Sequence, residues 1–205
     1  VVPRFNIMTL ITMIETLRIA NYLAPASIYS WEVASFDGSK IIASNGMTAT
    51  IKTANDNLQS AEFVFILGSW GTEHYHNKKL TAWLRKRVRA GERICGVELG
   101  SYIVARAGLL DGKLATIHWS WLNGFKENFN RVEVEESLFT LDRKVMTCSG
   151  GLAGVDLMLR LIEEINGSSF SGEIADQMLH HPIRSATSPQ RGTMGRSTET
   201  MRPLL

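Results

Sequence analysis

Glu98 is the single polar side chain between Gly96 and Gly100 in the run Arg93-Ile94-Cys95-Gly96-Val97-Glu98-Leu99-Gly100. The pattern predicts an apolar strand ending at Val97, a helix rich in Ala and β-branched residues beginning near Gly100, and a sharp turn between them. Such a turn tolerates no Cβ where backbone crowds backbone, and it thrusts its middle side chain into a cleft. Hydrolases carry a Ser or Cys nucleophile at that middle position. A carboxylate there has two other uses, the binding of a cation and the transfer of a proton. A simpler reading stands beside these, because an acid at the start of a helix is favoured by the helix dipole and the unpaired amides whatever its role.

Four other stretches carry candidate chemistry. Glu15 falls in a segment, Thr9 to Leu23, whose apolar residues Leu10, Met13, Ile14, Leu17 and Ala20 follow helical spacing, with Thr9 or Asn6 as the cap. Its alternatives are a place beside Glu98 or a surface pair with Arg18 at i,i+3. Gly68-Ser69-Trp70-Gly71 follows an apolar run of strand length, Ala61 to Leu67, at the end of a strand where ligands bind in open α/β sheets. Its small residues suit backbone amides facing a cleft, or a plain strand-helix turn. His118 ends the run Leu114 to Trp119, placed as a base at a strand exit or as a half-buried packing residue. Trp119 and Trp121 follow it. His74 and His76, without carboxylates or cysteines nearby, are read as solvated and not metal-binding.

The elements that position these residues alternate. Strands are expected at Ile28 to Ser35, from Ile41, at 61–67, in the elbow, at 114–119, and at Arg131 to Val134, Leu138 to Leu141 and Val145 to Cys148. Helices are expected at Thr9 to Leu23, at Asn77 to Ala90 with Trp83, Leu84 and Val88 inward, after the elbow, from Ser149-Gly150-Gly151 through Ile165 to Asn166-Gly167, and at Ser169 to His180. This order implies an α/β fold, doubly wound, with a mostly parallel sheet covered by helices on both faces. Val1-Val2-Pro3 reads as the end of a strand that starts upstream. Beyond Pro182, Ser, Thr, Pro and Gly dominate, and Arg184, Arg191, Arg196 and Arg202 face only Glu199. A domain over 1–184 and a basic linker over 185–205 follow.

With 205 residues the chain suits one such domain plus a tail. A net charge of +2 leaves the body without the basic footprint of a nucleic-acid binder. Two cysteines, Cys95 and Cys148, make no disulfide framework and suit a reduced, cytoplasmic setting. No apolar run reaches the roughly 18 residues of a membrane span, and the first residues lack the basic-then-apolar order expected of a signal peptide.

The blocks Pro3-x-Phe5-Asn6, Glu15-x-Leu17-Arg18-x-Ala20-Asn21, Ala43-Ser44-Asn45-Gly46, Ala105 to Gly112, Thr116-Ile117-His118-Trp119 and Cys148-Ser149-Gly150-Gly151 occur in one order. They resemble the N-terminal domain of AraC-family transcriptional regulators of the class I glutamine amidotransferase-like, PfpI type, over residues 1–184. The nearest branch resembles regulators that sense arginine, carnitine, glycine betaine and related amines. The resemblance implies a flavodoxin-like fold and a sensor half whose DNA contact is made by a C-terminal helix-turn-helix domain beyond Leu205. Catalytic relatives carry Cys at the elbow, an acid from the first helix and a His after the next strand, which map to Glu98, Glu15 and His118. Glu98 breaks that pattern, since a carboxylate is no thiolate nucleophile.

The substitution leads to the expectation of a non-enzyme without metal or cofactor. Glu98 and Glu15 would form an acidic pocket for a small cationic metabolite. His118 would pair with a carboxylate or with the ligand's acid group, Trp70, Trp119 or Trp121 would supply a cation-π wall, and amides of Ser69 to Gly71 would take the ligand carboxylate. Regulation would work through a homodimer pairing by the first or last helix. Two rival readings stand: a hydrolase, hydratase or lyase with Glu98 as general base beside His118, and a degenerate scaffold that only dimerises.

Overall fold

A computed structural model describes residues 1–53 and 58–192. In chain order these form α1 (Ile7–Leu23), β1 (Ala34–Ser35), β2 (Lys40–Ile42), β3 (Thr48–Thr50), β4 (Lys52–Thr53), β5 (Phe63–Gly68), α2 (Lys78–Arg89), β6 (Arg93–Glu98), α3 (Gly100–Arg106), β7 (Leu114–Ala115), α4 (Leu122–Asn128), β8 (Glu133–Val134), β9 (Phe139–Thr140), β10 (Val145–Cys148), α5 (Ala153–Asn166) and α6 (Ser168–Gln177). The central sheet has the order β5-β6-β10-β9, parallel except for β9 at one edge.

Alternation along the strands sorts two helical layers. Ile66 and Ile94 point to the face covered by Leu80 and Leu84 of α2, Ile103 of α3 and Phe125 of α4. Leu67, Cys95 and Val97 point to the other, against Met13 of α1 and Leu157 and Leu161 of α5, with α6 packed outside through Ile174 and Ala175. The doubly wound sheet expected from the order of elements is the one observed.

Arg131 to Val134 is strand only at Glu133–Val134, and three further expected strands are cut short where side chains replace a ladder. Ile28 to Val33 is held by the Asn21 amide, whose Oδ1 accepts from Ile28 and Tyr29 N–H (2.9 and 2.8 Å) while its Nδ2 donates to the Tyr29 carbonyl. Only Ala34–Ser35 of that stretch is strand. The run 114–119 is strand only to Ala115, because Thr116 N–H donates to Thr147 Oγ1 at 2.7 Å and Thr116 Oγ1 donates to the Ser137 carbonyl. Leu138 to Leu141 shrinks to Phe139–Thr140, where Thr140 Oγ1 accepts from Thr147 N–H at 3.2 Å. On the outer side of β5, Val2 N–H donates to the Leu67 carbonyl at 3.1 Å. An apolar groove of about 670 Å³ continues from there between β5 and residues 28–36, floored by Leu10, Met13 and Leu17 of α1 and Met158 of α5.

Residues 184–191, expected as the start of a linker at 185, lie as a strap on the body. The Ala186 carbonyl accepts from Leu138 N–H at 2.8 Å. The Gln190 amide is fully engaged, accepting from Trp119 N–H and donating to Thr116 Oγ1 and the Ile117 and Ser137 carbonyls. Arg191 pairs with Glu136. Four directed bonds at one side chain turn a sequence with linker composition into a docked segment. Arg196 and Arg202 lie outside the described residues. No helix among the described residues is long and apolar enough to cross a membrane.

Candidate functional site

The elbow is built as the glycine spacing requires. A Cβ on Gly100 would lie 1.8 Å from the Ile66 carbonyl oxygen, and one on Gly96 would lie 2.7 Å from Ser101 Cα. The chain can therefore pass from β6 into α3 against β5 only without side chains at these two positions. Glu98 itself takes the left-handed conformation, φ 55°, the strain expected of an elbow residue. The strand runs one residue further than expected, to Glu98.

This turn aims the carboxylate inward, leaving Glu98 6% exposed. Oε1 accepts from Ser69 Oγ at 2.6 Å. Oε2 has no hydrogen-bond partner among the described residues. Burial pushes the carboxyl pKa up, while the Ser69 hydroxyl and then the Asn6 amide favour the ionised form. Room for the side chain comes from Gly150, where a Cβ would sit 2.7 Å from Glu98 Cβ and 2.9 Å from Oε2. Gly150 has φ 87° and Gly151 φ 57°, and Gly151 N–H donates to Thr9 Oγ1, tying this loop to α1.

Glu98 faces a cavity of about 370 Å³, within the range of small-molecule sites. Of the residues expected there, Glu98, Ser69, Trp70, His118 and Trp119 are among its walls. His118 caps the turn Trp119–Trp121 through Nδ1, 2.8 Å from Ser120 Oγ, and burial lowers its pKa, which favours the neutral ring.

Three expected residues are elsewhere. Glu15 does not join Glu98, because its carboxylate accepts from Arg18 Nε at 2.7 Å with 40% of the side chain exposed. The cavity meets α1 at its first turn, at Asn6 and Met8. Glu15 is nine residues past Asn6, about 13 Å along the axis, and it sits off the buried face of Thr9, Met13, Thr16 and Ala20. Trp121 packs edge-on against Tyr102 of α3, ring centroids 6.4 Å apart, half-buried against the core. Gly71 turns away with φ 97°, its N–H bound to Glu73 Oε2.

Other walls carry no functional signal in the sequence. Asn6 reads only as a cap, a role it has through Met8 and Thr9 N–H. Ser149 and Gly150 read as a helix start, and Arg184 and Gln190 as part of the basic tail. Arg184 is among the cavity walls, and its guanidinium is held by Asp156, a fully buried carboxylate on α5. It donates from its backbone N–H (2.8 Å), Nε (3.1 Å) and Nη2 (2.6 Å) to that carboxylate, which His180 Nε2 also contacts at 2.9 Å. The acidic pair expected from sequence is thus corrected to one carboxylate, Glu98, with Arg184, a cation already partnered by Asp156, elsewhere in the cavity lining. No group of three or more His, Cys, Asp or Glu side chains among the described residues is placed to hold a metal.

A doubly wound α/β domain with a residue in the left-handed region at the strand-to-helix elbow, facing a cavity at the carboxyl ends of the strands, defines the class. Residues 5–164 match the DJ-1/PfpI family, and the chain belongs to that family, with its flavodoxin-like fold. It is 35% identical over 189 residues to the HTH-type transcriptional regulator CdhR of Pseudomonas aeruginosa, covering 92% of this chain and 56% of that protein. With the HTH-type transcriptional regulator GbdR of Pseudomonas aeruginosa it shares 34% identity over 201 residues, 98% of this chain and 55% of the other. The fold matches the crystal structure of an AraC family transcriptional regulator from Pseudomonas putida with a TM-score of 0.80 at 20% identity, over 86% of this chain and 95% of that one. The chain spans about half the length of the curated relatives it matches.

Proposed function

We propose that this chain is the ligand-sensing part of a cytoplasmic transcriptional regulator of AraC type, and that the cavity at the elbow binds a small metabolite carrying an ammonium, quaternary amine or guanidinium group. In this reading DNA is bound by a helix-turn-helix domain C-terminal to residue 205, and the regulator works as a homodimer. Relatives that bear the name HTH-type transcriptional regulator and align over nearly the whole of this chain support the regulatory half.

The observation that carries the ligand half is the buried Oε2 of Glu98, without a hydrogen-bond partner among the described residues, at the wall of a 370 Å³ cavity. A carboxylate so placed carries the desolvation cost of its charge until a cation or donor arrives. A cationic group beside it would satisfy the oxygen, with Trp70 and Trp119 as aromatic neighbours. Arg184 and the small-residue loop at Ser69 would take an acid group on the same ligand. With Glu at the elbow the site has no thiolate, so the thiol chemistry of elbow-cysteine relatives does not run here.

The test is calorimetric titration of the chain with L-arginine, carnitine and glycine betaine. A ligand bound at Glu98 should lose roughly 1.5–3 kcal/mol of affinity in Glu98→Gln, the worth of a charged hydrogen bond. Equal affinity in the two proteins would move the site elsewhere. His118 in the same cavity keeps one rival in play, proton transfer between Glu98 and His118. That reading requires turnover of an added substrate, abolished in both Glu98→Gln and His118→Gln.

A further inference from the structure

The cavity is walled on one side by the strap 184–191, and the strap has its own means of holding on. Arg184 and Gln190 line the cavity. Gln190 is bound at Thr116, Ile117 and Trp119 N–H, the stretch that carries His118, and at Ser137, next to the cavity residue Leu138. Arg191 lies outside the cavity, its guanidinium 5.0 Å from the centre of the Trp119 ring and bidentate to Glu136. Between these clasps the strap offers little apolar surface to the body: Ser185, Thr187 and Pro189 are exposed, and Ala186 is the residue packed against the core. A segment held by directed polar bonds opens at lower free energy than one held by apolar burial.

We propose that ligand occupancy and strap docking form one linked equilibrium: the site is complete only with the strap in place, and the strap transmits occupancy to the chain that follows residue 192. This linkage rests on the cavity being the ligand site. Gln190 and Arg184 come from the strap, so undocking removes two walls and lowers affinity by the docked fraction. By reciprocity a ligand touching those walls tightens the strap. Residues 193–205 continue directly from Arg191 and Gly192, which makes the strap the shortest covalent path from the cavity to any C-terminal partner domain.

Hydrogen exchange followed by mass spectrometry on the chain, with and without saturating glycine betaine or L-arginine, tests the link. A probe that binds should slow exchange over 184–192 by about tenfold while leaving α2 unchanged. Arg191→Ala, at a residue that is not itself a cavity wall but stacks on the wall residue Trp119, should weaken that probe by roughly tenfold by populating the undocked state, with faster exchange over 184–192 in the variant separating undocking from a local shift of Trp119. Binding with unchanged strap exchange and unchanged affinity in Arg191→Ala overturns the link and leaves the ligand site standing. If neither probe binds, the ligand reading fails for these compounds, and the strap is judged without ligand. Arg191→Ala and Gln190→Ala must then speed exchange over 184–192 and over 116–119 and 136–139 together. Release of the strap with no change in those neighbouring segments, or no release at all, overturns it.

Discussion

Two walls of one cavity are made by opposite means. At the elbow, backbone packs on backbone: Gly100 sits where a Cβ would reach within 1.8 Å of Ile66 O, and Glu98 is held in the left-handed region by strand pairing on one side and helix α3 on the other. The strap across from it is hung on side-chain bonds from Arg184, Gln190 and Arg191. The contrast separates positioning from access. A rigid half fixes where the carboxylate points, and on the linkage proposed above the strap half sets whether the cavity is closed. Arg106 extends the rigid half, because its guanidinium donates to the carbonyls of Thr72, Glu73 and Tyr75 and so pins the loop that begins with Ser69.

The sharpest way to break this comparison is Gly100→Ala. The added methyl meets backbone, which cannot yield, so the variant should lose at least about 3 kcal/mol in chemical denaturation or fail to fold. Gly150→Ala should cost about 1–3 kcal/mol, from a positive φ and a clash with Glu98, and should also abolish cation binding by displacing the carboxylate. Gln190→Ala, which takes the side-chain donor from the Ile117 carbonyl and the acceptor from Trp119 N–H, should cost about 1–2 kcal/mol. That loss should concentrate in the strap, as hydrogen exchange will register. If Gln190→Ala unfolds the domain as Gly100→Ala does, the two walls are not different in kind.

A pH series refines the elbow. Burial raises the Glu98 pKa above that of the unfolded chain, so the native state holds its proton more tightly. Stability relative to Glu98→Gln should therefore fall as pH rises from the unfolded pKa through the native one, then level off. Cation affinity should run the other way, lost as pH drops through the native pKa and the carboxyl becomes neutral. The smallest effect is expected at Glu15→Ala, within about 0.5 kcal/mol in stability, as for an exposed ion pair, and with cation affinity unchanged. A loss of affinity there would return Glu15 to the site.

Much of the molecule is legible in its sequence. Gly96, Glu98 and Gly100 announce the elbow because their spacing is a steric requirement of the turn, and the alternation of apolar strands with amphipathic helices announces the layered sheet. Legibility fails where contact depends on distance through space. Glu15 is the position the family resemblance implies, yet its helix carries it about 10 Å past Met8, where the cavity ends on α1, and Arg18 stands one turn away to take its charge. Trp121 looks like a cleft aromatic but packs half-buried against the core, edge-on to Tyr102.

The sequence by itself determined the class of fold, the elbow and the identity of its side chain, since these depend on local sterics and periodicity. Only the tertiary structure decided which polar residues share the cavity. Asn6, Gly150 and the pair Arg184 and Gln190 come from three separate stretches of chain. The linker-like composition of residues 184–191 gave no sign of docking, because the partners of Gln190 lie 53 to 74 positions away in the chain. Proximity of that kind is written in the packing of the sheet and has no counterpart in local pattern.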